Sequence, residues 1–298
     1  MVEISLSCEE KTEELLEEGA KFYDEGEIEK GEELFEQAIA LEPKNGFVLR
    51  GLANYYLEYK LFERAIEYCQ KALDINPDDW IAISIMGNIF LEKNDFVKAE
   101  EWYLKAKECN PKAVDVYYNL GELFRKQEDF AGALPYYLKA EEFDKDDIEV
   151  LFNISYIYDT IENVDKAIEY YYKMVALEPE LYMIYTRMAE LLYDKGDFAQ
   201  SKKCLLEALR VNPDDPGSYN NLGLLNLELD LIEDAIESLE KSLELNAEDA
   251  NTWHSLSEIY EKKKDLKKAI EYCEKAIELD PERKLYQEYI EHLKEQLK

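Results

Sequence analysis

Asp78 and Asp79 stand side by side behind Pro77, and Asp214 and Asp215 repeat the arrangement behind Pro213. Neighbouring carboxylates are the raw material of metal sites and of general acid–base pairs. Here they have much company: 68 of the 298 residues are Asp or Glu, so acidic pairs recur and none is marked out by its surroundings. The other residues of catalysis are sparse. His254 and His292 are the only histidines, and neither belongs to an H-E-x-x-H or to a Cys/His set at metal-binding spacing. Gly46 and Gly51 have phosphate-loop spacing in "GFVLRGLA", but Leu52 and Ala53 stand where that loop needs a lysine and a hydroxyl. "DKDDIE" at 144–149 lacks the glycine of a calcium loop, and no G-x-G-x-x-G or G-x-S-x-G occurs. The expectation is a non-enzyme without cofactor or metal. Cys8, Cys69, Cys109, Cys204 and Cys273 are odd in number, far apart and free of any C-x-x-C, which predicts unpaired thiols in a reducing compartment.

Asparagine offers a different chemistry. Its amide is both donor and acceptor, and can pair with the N–H and C=O of a peptide whatever side chains that peptide carries. Asn119, Asn153 and Asn221 fall in one phase of a 34-residue spacing, with Arg187 in the same phase, and Asn54 and Asn88 share another. Such a row needs a periodic scaffold. A 34-residue ruler laid from Pro43 lands on Pro77, Pro111, Lys145, Pro179, Pro213, Ala247 and Pro281, which marks a stacked repeat array. The repeats run 12–45, 46–79, 80–113, 114–147, 148–181, 182–215, 216–249 and 250–283.

The pattern inside a repeat is that of two packed helices. The eighth residue is always small (Gly19, Ala53, Gly87, Gly121, Ser155, Ala189, Gly223, Ser257), and so is the twentieth (Gly31, Ala65, Ala99, Ala133, Ala167, Ser201, Ala235, Ala269). Apolar residues recur at helical spacing, as in Leu120, Leu123 and Phe124 and again in Ala133, Leu134, Tyr137 and Ala140. Small residues let the two backbones close up where they cross, and a large ring fills the space beside the crossing. Cys69 and Cys273 occupy the slot held elsewhere by Phe35, Tyr103 and Tyr137, so they read as core thiols. In the turns "EKNDF" and "DKGDF", Asn94 and Gly196 suit a left-handed C′ and Asp95 and Asp197 suit a helix cap. At the joints between repeats, proline stops one helix and Asp79 or Asp215 caps the next, so the acidic pairs are helix starts. Pro135, in the middle of a second helix, is expected to bend it, and Lys145 and Met174 also depart from the pattern in this central region.

With these residues in hand, the chain resembles the tetratricopeptide repeat proteins. "YYNLGELFRKQEDFAGALPYYLKA" at 117–140 is close to a template of that family, and the resemblance covers 12–283. Residues 284–298, with Leu285, Tyr289, Leu293 and Leu297 on one side, are similar to its C-terminal capping helix, and 1–11 are left as an N-terminal tail. The resemblance implies an all-α fold: a right-handed superhelical solenoid of antiparallel helix pairs, with the first helix of each repeat lining a concave face. It implies a non-catalytic protein–protein interaction scaffold or adaptor that holds an extended peptide or a helix of a partner. The alternative is a regulatory or targeting module acting on an enzyme or chaperone complex. Candidate partner-binding residues on that face are Phe47, Arg50, Asn54, Asn88, Tyr118, Asn119, Phe152, Asn153, Tyr156, Arg187, Tyr193, Asn220 and Asn221. Some members clamp a chaperone's C-terminal carboxylate with cations and asparagines over three repeats. Arg50 and Asn54 fit the start of such a clamp, but Ile85, Asp115 and Asn119 do not continue it.

Charge narrows the partner further. The formal net charge of −33 repels nucleic acid and anionic membrane. The lysines of "KKKDLKK" at 262–268 fall on a turn and read as solvated. The face itself is mixed to acidic, with Asp115, Glu122, Glu149, Asp159, Glu190 and Glu258 against Arg50, Arg125, Lys126 and Arg187. A basic segment with apolar anchors complements it. No apolar run reaches the length of a membrane span, and "MVEISLSCEEK" lacks the features of a signal peptide, so the expected location is the cytoplasm.

Overall fold

The two-helix rhythm is visible in a computed structural model that describes residues 8–297. Among the described residues there are seventeen α-helices and no strand. They form an all-α solenoid of helix pairs: α1 (Cys8–Asp24) with α2 (Ile28–Leu41), α3 (Gly46–Glu58) with α4 (Phe62–Ile75), α5 (Trp80–Glu92) with α6 (Phe96–Cys109), and α7 (Val114–Arg125) with α8 (Phe130–Phe143). Then follow α9 (Ile148–Thr160), α10 (Val164–Leu177), α11 (Tyr182–Asp194) with α12 (Phe198–Val211), α13 (Pro216–Glu228) with α14 (Ile232–Leu245), α15 (Ala250–Lys262) with α16 (Leu266–Leu279), and α17 (Lys284–Gln296). The first helix starts at Cys8, so the last four residues of the expected 1–11 tail are helical, and the rest of that tail lies outside the described residues. No described helix is long and apolar enough to cross a membrane.

Each turn within a pair is made the same way. Gly26, Lys60, Asn94, Glu128, Glu162, Gly196, Asp230 and Lys264 all have positive φ and recur every 34 residues. Asn94 and Gly196 are legible in the sequence as such positions; the three acidic and two lysine side chains at this slot are not. The turn closes by backbone bonds that satisfy the last carbonyls of the helix: Asp95 N–H donates to the Phe90 carbonyl at 2.9 Å and Asn94 N–H to that of Leu91 at 3.0 Å. Asp95 and Asp197 then cap the second helices through the N–H of Lys98 (3.3 Å) and Gln200 (3.2 Å). At the joints, Asp79 accepts from Ile81 and Ala82 and Asp215 accepts from Ser218, so these carboxylates are helix caps.

The crossings are as close as the small residues suggest. A Cβ on Gly31 would lie 2.8 Å from the Gly19 carbonyl oxygen. The hydroxyls of Ser201 and Ser257 reach across to the carbonyls of Ala189 and Ala269, at 2.7 and 2.6 Å. Beside most crossings the eighth and twenty-fourth residues trade volume, and the fifth repeat departs from this, with Ser155 against Tyr171. Glycine faces Phe35, Tyr103, Tyr137 and Leu239, whereas Ala53 and Ser257 face Cys69 and Cys273. Both cysteines are fully buried, and burial pushes their thiols up, to about 12 for Cys69 and about 11 for Cys273. Pro135 lies inside α8, and the helix continues past it to Phe143.

The chain divides into two compact halves, residues 1–154 and 155–298, with the division inside α9. In the first half, Leu52, Ile83, Ile89, Leu120 and Leu123 are buried with the rings of Tyr56, Tyr103 and Tyr137. In the second, Leu239, Leu256, Ile259 and Leu293 belong to one core. There the buried side of α17 is carried by Tyr286, Ile290 and Leu293. This corrects the expected stripe, because Leu285 and Leu297 are exposed: the helical phase that buries Leu293 also buries residues three and seven positions before it.

Candidate functional site

In the first half, the predicted residues lie on α3, α5, α7 and the start of α9. Phe47 opens α3 and is 55% exposed, with the Arg50 guanidinium 5.9 Å from its ring centre. Arg50 is not free to hold a carboxylate. Its Nη1 donates to Asp79 Oδ2 at 2.7 Å, and Asp79 is the buried cap of α5, so the pair fastens one repeat to the next. Asn54, one turn further on, is exposed. Asn88 accepts the buried Tyr103 hydroxyl at 2.7 Å, and Asn119 donates to Ser84 Oγ at 3.1 Å. Asn153 is only 7% exposed: it donates to the Glu149 carbonyl at 3.0 Å and pairs with Tyr118. The Tyr118 ring meets Tyr137 edge-on, 5.8 Å between centres. Burial, with Glu122 and Glu149 nearby, raises the Tyr118 pKa. Phe152, beside Asn153 in sequence, is 48% exposed.

In the second half, Tyr156 is exposed on α9, and Asn220 on α13 donates to Thr252 Oγ1 at 2.6 Å. Arg187 makes a two-pronged bond to Asp159, Nε and Nη2 each at 2.8 Å, and turns Nη1 to Glu190 at 2.7 Å. Asp159 also accepts the Tyr171 hydroxyl at 3.1 Å, and the Arg187 guanidinium holds its carboxyl below the usual range. Glu190 uses its other oxygen to accept from Asn221 Nδ2 at 3.1 Å.

These bonds frame a cavity of about 310 Å³. Its floor is the crossing of α11 and α12, where Ala189, Ser201 and Leu205 are buried. Its rim is Arg187, Glu190, Tyr193 and Asp194 from α11 and Asn221 and Leu224 from α13. Three predicted residues, Arg187, Tyr193 and Asn221, therefore share one site. Tyr193 is half-buried against Phe198, 5.5 Å between ring centres, and burial, then Glu228 and Asp194, raise its pKa. Asp194 and Leu224 are not among the residues expected from the sequence, although they occupy the thirteenth and ninth places of their repeats. The site is concave and part apolar, with a few converging polar groups, which are features that ligand pockets share. Among the described residues no three His, Cys, Asp or Glu side chains gather as a metal site.

The sequence matches family profiles described as "Tetratricopeptide repeat" over 114–147, 148–181 and 250–283, over 186–250 and over 47–79, and one described as "TPR repeat" over 87–128. None of these descriptions names an enzyme. No curated protein matches the chain. Among solved structures, the chain is similar to the MamA protein at 25% identity, over 58% of this chain and 94% of that one, with a TM-score of 0.53. A second MamA structure, from Desulfovibrio magneticus RS-1, is similar at 22% identity, covering 57% and 96%, with a TM-score of 0.53. The pilF protein of Pseudomonas aeruginosa is similar at 19% identity, covering 70% and 96%, with a TM-score of 0.54. These are likenesses of fold.

Proposed function

The chain belongs to the tetratricopeptide repeat family, and from that premise we propose that it is a non-catalytic scaffold or adaptor for another protein. The first helices of its pairs bind an extended or helical segment of the partner. The observation that carries this reading is the cavity in the second half, where Arg187, Tyr193 and Asn221 converge over an apolar floor. A half-buried aromatic rim is the kind of contact that concentrates binding energy. Asn221 keeps its carbonyl oxygen and one N–H beyond the bond to Glu190, enough to meet a peptide backbone. Within the second half the exposed Tyr156 supplies a further apolar anchor, and within the first half Phe47 and Phe152 are exposed on first helices. Arg50, Asn88, Asn119 and Asn153 take a bracing role in this account, because each already has a partner within the protein.

The same reading takes 12–283 as eight repeats closed by 284–298, supported by the helix pairing, and assigns the protein to the cytoplasm, supported by the free Cys69, Cys109, Cys204 and Cys273. The test is affinity capture from native cells with quantitative mass spectrometry, comparing the wild type with a Tyr193→Ala/Asn221→Ala variant whose helical circular dichroism is intact. Loss of two central contacts is expected to weaken the true partner by about 2 kcal/mol, about thirtyfold. If the same proteins are captured at the same levels by both, the cavity is not the partner site.

A further inference from the structure

We infer that the cavity between α11, α12 and α13 is a socket for one cationic side chain of the partner segment, arginine in preference to lysine. This rests on the proposed reading that the first helices bind a partner. Arg187, the one cation on the rim, is already spent, its fork filled by Asp159 and its remaining nitrogen by Glu190. Among the lining residues, one positive charge against Glu190 and Asp194 leaves one negative charge at the mouth, and Asp159, outside the lining, fills the Arg187 fork. Asp194 is exposed and has no ion-pair partner among the described residues, while its neighbour Lys195 is turned away to Asp165. Below the mouth, Ala189 and Leu205 offer an apolar floor, and Leu224 and the Tyr193 ring stand at the rim above it.

A long aliphatic stem ending in a planar cation satisfies all of these surfaces at once. The stem lies on the leucines, the cation faces the tyrosine ring, and its N–H fork meets the Asp194 carboxylate. A lysine ammonium makes the charge contact without the fork or the stacking. A carboxylate is repelled, and an apolar side chain strips water from Asp194 and gives nothing back. The rim chemistry varies between repeats: the first repeat, like the sixth, has a tyrosine and an aspartate at the twelfth and thirteenth places, Tyr23 and Asp24. In the fourth repeat the twelfth and thirteenth places, which hold Tyr193 and Asp194 in the sixth, are Arg125 and Lys126, and these are paired with Glu122 and Glu92.

The test is methyl and aromatic NMR on the full chain, titrated with the blocked tripeptides Ala-Arg-Ala, Ala-Lys-Ala, Ala-Gln-Ala and Ala-Glu-Ala. The arginine peptide is expected to shift the Leu205 and Leu224 methyls and the Tyr193 ring saturably, the lysine peptide more weakly, and the other two not at all. Asp194→Asn is expected to weaken the arginine peptide about tenfold, the worth of one charge-assisted hydrogen bond. Glu36→Gln, the same charge change at an exposed site on α2, is expected to leave it unaltered. Equal weakening by both substitutions overturns the socket, since attraction then follows net charge alone. Equal shifts from the glutamine or glutamate peptide overturn it too, but leave the cavity as a binding site and the scaffold reading standing. Absence of shifts at these groups from every peptide overturns the socket, and the capture assay with Tyr193→Ala/Asn221→Ala decides separately whether the partner-binding reading falls with it.

Discussion

Gly121→Ala should destabilise the protein, and Gly51→Ala should not, although the chemical change is the same and both residues are inside helices of the first half. A Cβ on Gly121 would lie 2.7 Å from Cε1 and Cζ of Tyr137 and 2.8 Å from Cδ1. That is about an ångström short of ordinary carbon contact, about 3.5–4.0 Å. The ring has nowhere to retreat. Tyr137 is fully buried, its hydroxyl is bonded to Glu122, Glu122 is held by Arg125 Nε at 2.8 Å, and Tyr118 abuts the ring edge-on. Overpacking of this kind costs about 1–3 kcal/mol, and the better helix propensity of alanine offsets about 1 kcal/mol. The net expectation is a loss of up to about 2 kcal/mol. On Gly51 the new methyl would meet only Leu16 Cδ1 at 3.8 Å, so the propensity gain of roughly 0.5–1 kcal/mol should stand alone.

Urea unfolding followed by far-UV circular dichroism measures both. Repeat arrays can lose cooperativity, so midpoints and slopes should be reported together. The sixth repeat suggests the suppressor, because it pairs Ala189 with Leu205 at the same two slots. Tyr137→Leu in the Gly121→Ala background should recover about 1 kcal/mol relative to the sum of the single changes. If Gly121→Ala is as stable as the wild type, if Gly51→Ala loses as much, or if the double variant is simply additive, the volume trade between these slots is not what sets the crossing.

Further outcomes follow from the bonds and backbone. Asp159→Asn should cost about 1–2 kcal/mol at neutral pH. Because Arg187 depresses the Asp159 pKa, this contribution is present above the ordinary value of 3.8 and is lost as pH falls through the lower folded value; urea midpoints of the two proteins should converge there. His254 is buried between the Tyr286 and Tyr289 rings, at 4.9 and 4.8 Å, with Nε2 unpartnered, and burial, then Arg283, lower its pKa from 6.5. The folded protein thus resists a proton that the unfolded chain accepts below that pH, so His254→Phe should gain stability over the wild type as pH falls below 6.5, seen in thermal melts across pH. Glu128 holds φ at 59°, so Glu128→Gly should stabilise by about 0.5–1 kcal/mol in the same urea assay; a loss there would mean the side chain itself matters.

Periodicity makes place legible and leaves partnership hidden. Once the 34-residue ruler is laid down, residues about 30 apart become neighbours, and Lys93 with Glu63, Lys195 with Asp165 and Lys263 with Glu233 are indeed bonded across consecutive repeats. The joints and crossings are readable for the same reason, but the turns are so only in part: Asn94 and Gly196 announce the left-handed slot, and Lys60, Glu128, Glu162, Asp230 and Lys264 do not. The candidate site is different. Asn119, Asn153 and Asn221 occupy one slot, yet the first bonds Ser84, the second turns back to the Glu149 carbonyl and Tyr118, and the third bonds Glu190. The slot sets where the amide stands, and the non-periodic residue opposite decides whether it remains available. Arg50 has the residue type and place of half a carboxylate clamp, but the Asp79 carboxylate of the next repeat already occupies its guanidinium. In the proposed reading, specificity lies in the groups that are left unmatched. Asp194 is one of these: an acid without an ion-pair partner among the described residues, at a slot that is also acidic in Asp24, Glu58, Glu92 and Glu228. In the proposed socket, a charge left unmatched at the mouth of a part-apolar cavity sets the terms on which a side chain from outside can enter.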